Sequence, residues 1–507
     1  MPGVLASVTT FAIEGVGSRE VTVEVDVRRG LPTFTLVGLP DRAIREARER
    51  VRAALLNSDL DFPQKRLTVN LAPAHVRKAG PGFDLAIAVG ILAATGQVPQ
   101  EPLASCALYG ELSLAGALRP GRGALAVALG ARDAGYARLA VPPRDAGEAA
   151  LVEEVEVIAV EDLKRIAELL RGDRPVRRAS PRRPSRAGPA GGLDLADVRG
   201  QEDAKRALEI AAAGGHNLLM VGPPGTGKTM LARRLPGILP RPTFEEALEI
   251  TRIRGVAGLG SGGLVSERPF RAPHHTISAQ GLVGGGSTPR PGELTLAHRG
   301  VLFLDELAEF GRPALDALRQ PLEEGRVEIM RGQRTIEFPA RAMVVAATNP
   351  CPCGRPADRC TCDALALARY ARRLSGPLLD RIDLVCRLGP VAPLELIRDC
   401  ATDGSSRKAR ARVEAARRRQ SDRLGGSGAL CNGDMDGRLT RRIVRLDAGL
   451  RGRLATLKEP SPLSGRGHDR VLRVARTIAD LEGRGRVDRR DLDEALAYRV
   501  GGMAAAA

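Results

Sequence analysis

Apolar and polar residues alternate with strict period two over Glu20-Val21-Thr22-Val23-Glu24-Val25-Asp26-Val27, the signature of a half-buried strand. Asp41 to Leu56 instead repeats at helical spacing among many charges. Short β-type and helical runs of this kind alternate through residues 1–170, which predicts an α/β domain. Between Arg171 and Gly192 the pattern collapses into Arg, Pro, Ser, Gly and Ala. Such a stretch cannot bury enough apolar surface to order itself, so residues 171–192 read as a basic linker, its arginines either solvated or laid against phosphates. A second α/β domain is expected over 193–390. It has a helix from Glu202 to Ala213 and three apolar strands that each run into polar residues: Asn217 to Val221, Gly300 to Leu307 and Met343 to Pro350. Arg326 to Met330 and Thr335 to Phe338, joined by Arg331-Gly332-Gln333-Arg334, predict a β-hairpin with a basic tip; an ordinary surface turn is the alternative to a ligand-contacting one. From 391 to 507 the spacing is mainly helical: Ser406 to Arg423 carries an Arg-rich face, and Ser464 to Arg470 opens a long helix.

Composition narrows the classes. A chain of 507 residues with 43% hydrophobic residues can bury more than one core. Its net charge of +17 permits an anionic partner such as nucleic acid, although the excess is nearly all arginine and could reflect a general preference for Arg over Lys. Aromatics make up 3% and Trp is absent, which argues against recognition of single strands by base stacking and favours phosphate contacts. No apolar run is long enough to span a bilayer, the longest being Leu85 to Ala94, and the N-terminus lacks the basic start of a secretory signal; the expected location is the cytoplasm. Eight cysteines, four of them between 351 and 362, suit a reducing compartment.

The strongest chemical signal is Gly222-Pro223-Pro224-Gly225-Thr226-Gly227-Lys228-Thr229, set between the Asn217–Val221 strand and a helical run from Met230. Strand, glycine-rich loop and helix N-terminus together form a phosphate cradle, with Lys228 for the terminal phosphates of ATP and Thr229 for Mg²⁺. The bland alternative is a glycine-rich turn with an exposed lysine. Lysine is otherwise rare, occurring at 65, 78, 164, 205, 228, 408 and 458, so its choice here fits a site that needs a compact ammonium. Downstream, Asp305 and Glu306 end an apolar strand; the aspartate suits Mg²⁺ and the glutamate suits the attacking water. Asn349 ends the next such strand and could orient the same water. Arg381, in Ser375 to Asp383, is suited to reach a neighbouring subunit's γ-phosphate. Cys351, Cys353, Cys360 and Cys362 could surround Zn²⁺, although one residue between the members of each pair is tighter than usual; reduced, unliganded thiols are the alternative. His274 and His275 are adjacent, so on a helix or strand they would point apart, and a structural or switching role is expected rather than joint metal binding.

Two resemblances follow. Arg77 to Ala88 and Tyr109 to Pro120 resemble the proteolytic domain of the Lon family, which uses a Ser–Lys dyad. The serine position corresponds to Gly82 and the lysine position to Leu125, so the resemblance implies that fold without its protease chemistry. Nearly the whole chain resembles the AAA+ ATPases, specifically the magnesium-chelatase-like ComM/YifB family. The specific stretches are Phe270 to Thr276, Pro291 to Gly300, Ser375 to Asp383 and Val474 to Leu481. The resemblance implies an inactive Lon-like α/β domain, a central P-loop α/β domain and a C-terminal helical lid. It implies a hexameric ring that hydrolyses ATP between subunits, with hairpins at 255–292 and 326–338 lining the pore, and a helicase acting on branched DNA in recombination or natural transformation. It makes Arg466 the candidate lid arginine that senses nucleotide, with Arg470 the runner-up. A chelatase-type ATPase that remodels a protein for metal insertion is the alternative function; an ATP-dependent protease would need the missing dyad.

Overall fold

A computed structural model describes residues 4–74, 78, 80–175, 177–183, 193–260, 262–286, 289–331, 334–355, 359–373, 376–392, 395, 405–455 and 465–499. The chain divides into two compact units. One comprises residues 1–186 with 244–266 and 330–337; the other comprises 187–243, 267–329 and 338–507.

In the first unit, the alternating stretch forms the strand Gly17–Arg28, paired antiparallel with Val4–Glu14 and with Arg66–Ala72, which Thr33–Val37 extends in parallel. Val21, Val23 and Val25 are fully buried while their polar neighbours face outward, as the period of two requires. The apolar run near residue 90 is the helix Asp84–Ala94, buried on every side. Its one charge, Asp84, is neutralised by a two-pronged bond from Arg50, at 2.8 and 3.0 Å. A three-stranded parallel sheet, Cys106–Leu108, Arg138–Val141 and Glu156–Ala159, completes the unit. Helix Phe244–Val256 and the turn after it belong here as well, because Ala247, Ile250 and Ile253 bury their side chains and the Gly123 amide donates to the Gly255 carbonyl.

Part of the predicted linker is ordered. The Ala179 amide donates to the Val157 carbonyl at 2.7 Å, and the Arg182 amide to the Gly147 carbonyl at 2.9 Å. Backbone pairing along the edge strand Glu156–Ala159 supplies what side-chain burial could not. Residues 176 and 184–192 of the predicted linker lie outside the described residues, as do Gly332 and Gln333 at the predicted hairpin tip.

The second unit is built on a five-stranded parallel sheet in the order Phe270–Arg271, Val301–Leu304, Met343–Thr348, Leu218–Val221, Leu384–Arg387. The central strands Val301–Leu304, Met343–Thr348 and Leu218–Val221 are almost entirely apolar and fully buried, the usual environment of a parallel sheet covered on both faces. The C-terminal helices Ser405–Leu424, Gly465–Leu481 and Arg489–Ala497 share one core with helix Glu202–Gly214 and the sheet. Arginines clamp this assembly from within. Arg423 and Arg476 hold the buried Asp480 at 2.6 and 3.0 Å, Arg412 holds Glu209 at 2.5 Å, and Arg417 donates to the Ala212 carbonyl at 3.0 Å. Part of the predicted Arg-rich face of 406–423 is thus engaged within the fold, while Arg407, Arg412 and Arg418 remain exposed.

Candidate ATP site

Neighbouring strands of a parallel sheet end at the same edge, so residues far apart in sequence meet there. Val221 is in register with Thr348, and Leu304 with Ala346. The phosphate loop, Asp305 and Asn349 thus emerge side by side. Gly225 and Gly227 take left-handed φ values of +80° and +89°, and a Cβ added at either would meet nothing within 4 Å. The loop is an open backbone cradle of the kind that accepts an anion. Helix Lys228–Ile238 begins directly beneath it and directs its N-terminal dipole at the same place.

Lys228 Nζ donates to the carbonyls of Gly222 and Pro223 at 2.6 and 2.9 Å and to Asn349 Oδ1 at 3.3 Å. Partial burial lowers its pKa against the opposing pull of Asp305 and Glu306. The Thr229 hydroxyl donates to Asp305 Oδ2 at 2.7 Å, so the two groups predicted to share a Mg²⁺ ion already share a proton. A hydroxyl and a carboxylate at that distance are the hard oxygen donors that Mg²⁺ takes together with water and phosphate oxygens. The donor set fits ATP with Mg²⁺: a fixed ammonium, backbone amides and two oxygen ligands.

Glu306 adopts a left-handed backbone, φ +53°, directly after the strand end, and its amide donates to Asp305 Oδ1 at 3.0 Å. His275 Nδ1 lies 3.3 Å from Glu306 Oε2. The two histidines sit in a loop rather than on a regular element, and their rings pack at a centroid distance of 4.1 Å instead of pointing apart. The expectation that the pair would not jointly bind a metal named no partner for His275, and its contact with Glu306 could not be read from the sequence. Asn349 is fixed from behind: Tyr370, in helix Ala364–Arg373, donates its hydroxyl to the Asn349 carbonyl at 3.1 Å and pairs with Thr348 at 3.0 Å. No sequence motif pointed to Tyr370.

The two candidate arginines meet on a different carboxylate. Arg381 lies 2.6 Å and Arg466 3.0 Å from Glu323 Oε1, although 85 residues separate them in the chain. Arg470 is occupied otherwise. It is buried 3.2 Å from Asp383, a carboxylate that burial alone would raise but that His216, Arg473 and Arg470 hold well below the usual range. Exposure thus separates the lid candidates: the Arg466 side chain is 67% exposed and that of Arg470 is 10% exposed.

Cys351, Cys353, Cys360 and Cys362 converge, with one sulfur from each within 4.8 Å of the others. Burial and its thiol neighbours push Cys351 up to about 12, whereas amides of Thr361 and Arg355 directed at its sulfur draw Cys353 down to about 6. In the first unit, Tyr109 occupies the space in front of Gly82: an added Cβ there would lie 2.4 Å from its ring. Leu125 is fully buried.

Sheet order, phosphate cradle and acidic strand end together define a P-loop ATPase domain of the AAA+ type carrying a helical lid. Three family models match in chain order: subunit ChlI of Mg-chelatase over 23–145, magnesium chelatase subunit ChlI over 194–396, and the ChlI C-terminal region over 403–499. The chain is 43% identical over 501 residues to the uncharacterized protein YifB of Salmonella typhimurium, covering 98% of this chain and 97% of that one. It is 43% identical over 509 residues to competence protein ComM of Haemophilus influenzae, covering 98% and 97%. The chain belongs to the ComM/YifB family of magnesium-chelatase-like AAA+ ATPases. Partial likenesses are 30% identity over 139 residues to Lon protease 2 of Bacillus subtilis, 26% of this chain and 25% of that one, and 25% over 203 residues to DNA replication licensing factor mcm2 of Xenopus laevis, 37% and 20%. Among the described residues no helix is long and apolar enough to cross a membrane.

Proposed function

We propose that this chain is an ATP-driven motor that works on DNA as a ring, in the cytoplasm, and drives branch migration or strand separation during recombination or natural transformation. The observation that carries the ATPase part is the convergence of Lys228, Thr229, Asp305 and Asn349 at one sheet edge. On this reading Lys228 and the loop amides neutralise phosphate charge, Thr229 and Asp305 hold Mg²⁺, Glu306 and Asn349 position the attacking water, Arg381 completes a neighbouring subunit's site, and Arg466 senses nucleotide from the lid. Four cysteines hold a structural Zn²⁺. The DNA part draws support from the competence name of one full-length relative and the DNA replication name of a partial one. The Lon-like unit serves as a scaffold or partner surface and not as a protease, since Gly82 and Leu125 offer neither nucleophile nor base.

The test is steady-state ATP turnover with duplex, single-stranded and branched DNA. Stimulation of several-fold, greatest with branched DNA, is the expected result. Robust basal turnover that no DNA changes would overturn the DNA assignment and leave the ATPase standing.

A further inference from the structure

We infer that the four-cysteine knuckle, once it holds Zn²⁺, braces the ATP site: it keeps Asn349 and the phosphate-loop residue Pro224 in place, so that metal occupancy governs ATP turnover. The inference rests on the ATPase reading given above. Its first support is the sulfur geometry. Cys351 and Cys353 are 3.3 Å apart, Cys360 and Cys351 3.7 Å, and Cys353 and Cys360 3.8 Å. A tetrahedral Zn²⁺ with sulfurs at about 2.3 Å places its ligands roughly 3.8 Å from one another. Amides of Thr361 and Arg355 are directed at the sulfur of Cys353, the outer-shell pattern that orients thiolate ligands. Four protein ligands close the coordination shell, so the site is structural and leaves no position for substrate.

The second support is where the knuckle sits. Cys351 follows Asn349 after a single proline, and helix Ala364–Arg373, which carries Tyr370, begins two residues after Cys362. Asn349 is thus gripped at its carbonyl by the element on the far side of the knuckle and tethered on the near side through Pro350. The turn between Cys351 and Gly354, closed by a 3.1 Å amide-to-carbonyl bond, presents Gly354 directly to the phosphate loop. A Cβ at Gly354 would lie 3.0 and 3.1 Å from Pro224 Cγ and Cδ and 3.6 Å from Asn349 Nδ2, so only a glycine backbone approaches this closely. Its φ of +66° suits glycine as well. Without the metal, nothing covalent links the two ends of the knuckle, and the loop that separates the phosphate cradle from Tyr370 loses its cross-brace.

The test uses the purified full chain. Elemental analysis should find one zinc per chain in protein prepared without added metal. Stripping the metal with a chelator under reducing conditions should lower kcat for ATP about tenfold or more, with a smaller change in KM, and zinc should restore it. In Asn349→Ala, stripping should produce a smaller further loss than in wild type, because part of the metal's effect passes through that side chain and the rest through Pro224. Gly354→Ala should keep its zinc yet lose turnover, which separates the brace from folding of the thiol cluster. Hydrogen exchange gives a readout independent of turnover: removal of zinc should speed exchange at amides of 346–355 and of the phosphate loop. Absence of zinc would overturn the proposal, and so would unchanged exchange and kcat after stripping. A zinc-containing protein whose exchange responds to stripping but that never hydrolyses ATP would retain the brace and sink the ATPase reading instead.

Discussion

Lys228 and Glu306 face the same ligand with opposite tasks, and their substitutions should separate binding from turnover. The ammonium is held by two loop carbonyls and Asn349, ready to meet phosphate charge in both ground and transition states. Lys228→Ala should therefore weaken ATP binding by about 100-fold, measured with a fluorescent nucleotide. Glu306 contributes only to water, so Glu306→Gln should bind ATP nearly as wild type while turnover drops by about 100-fold or more. Wild-type turnover by Glu306→Gln would remove that residue from the mechanism. The left-handed backbone at Glu306 costs roughly 1–2 kcal/mol, strain of the sort that collects at working sites. These residues were legible because loop, acidic strand end and polar strand end recur in a set order. His275, Tyr370 and Glu323 were not, since each reaches its partner through folding and belongs to no local pattern.

At the scale of elements, the short helix Pro143–Ala149 buries two carboxyls in the first unit. Burial raises Glu148 from 4.5 to about 7 and Asp145 from 3.8 to about 6. A carboxyl whose pKa is higher in the folded state favours folding in its neutral form. Its contribution is complete below pH 4.5 and is lost as pH climbs through about 7. Thermal unfolding of the full chain should thus show Glu148→Gln stabilised over wild type at pH 8, by up to a few kcal/mol, with the gain vanishing near pH 5. An equal gain at both pH values would mean that desolvation of the charge is not its cause. Element types were readable from period: the strand Gly17–Arg28, the helix Arg42–Asn57 and the apolar strands of the second sheet all follow their patterns. The edge segment 177–183 escaped because backbone hydrogen bonds hold it, and these leave no trace in side-chain type.

At the scale of the whole molecule, the proposed ring makes hydrolysis a property of interfaces. Arg381→Ala should bind ATP normally and lose about 1,000-fold in turnover. Mixed with Lys228→Ala, it should regain activity, because some interfaces then pair an intact phosphate loop with an intact Arg381. Recovery excludes both action within one subunit and a requirement that every interface be intact; no recovery at any ratio in rings shown to be mixed means that one of the two holds. A second expectation concerns the Lon-like unit: unfolded protein substrates should remain uncut with or without ATP, as followed by gel. ATP-dependent cleavage that tracks with residues 1–170 would contradict the loss of the dyad at Gly82, whose front is filled by Tyr109. Charge at this scale is a weaker guide than the total suggests, since Arg412, Arg417, Arg423, Arg470 and Arg476 are engaged internally.

By itself the sequence determined the α/β class, the phosphate loop with its lysine and threonine, the acidic and amide strand ends and the cysteine spacing. Each of these is written in local periodicity or in residues a few positions apart, where the chemistry of a loop or strand end admits few alternatives. Tertiary structure alone decided that helix Phe244–Val256 joins the first unit, that Arg381 and Arg466 share Glu323, that Arg470 is locked onto Asp383, and that Gly354 abuts Pro224. These pairings depend on strand order and on which helix face is buried, and both are set by the packing of residues distant in the chain.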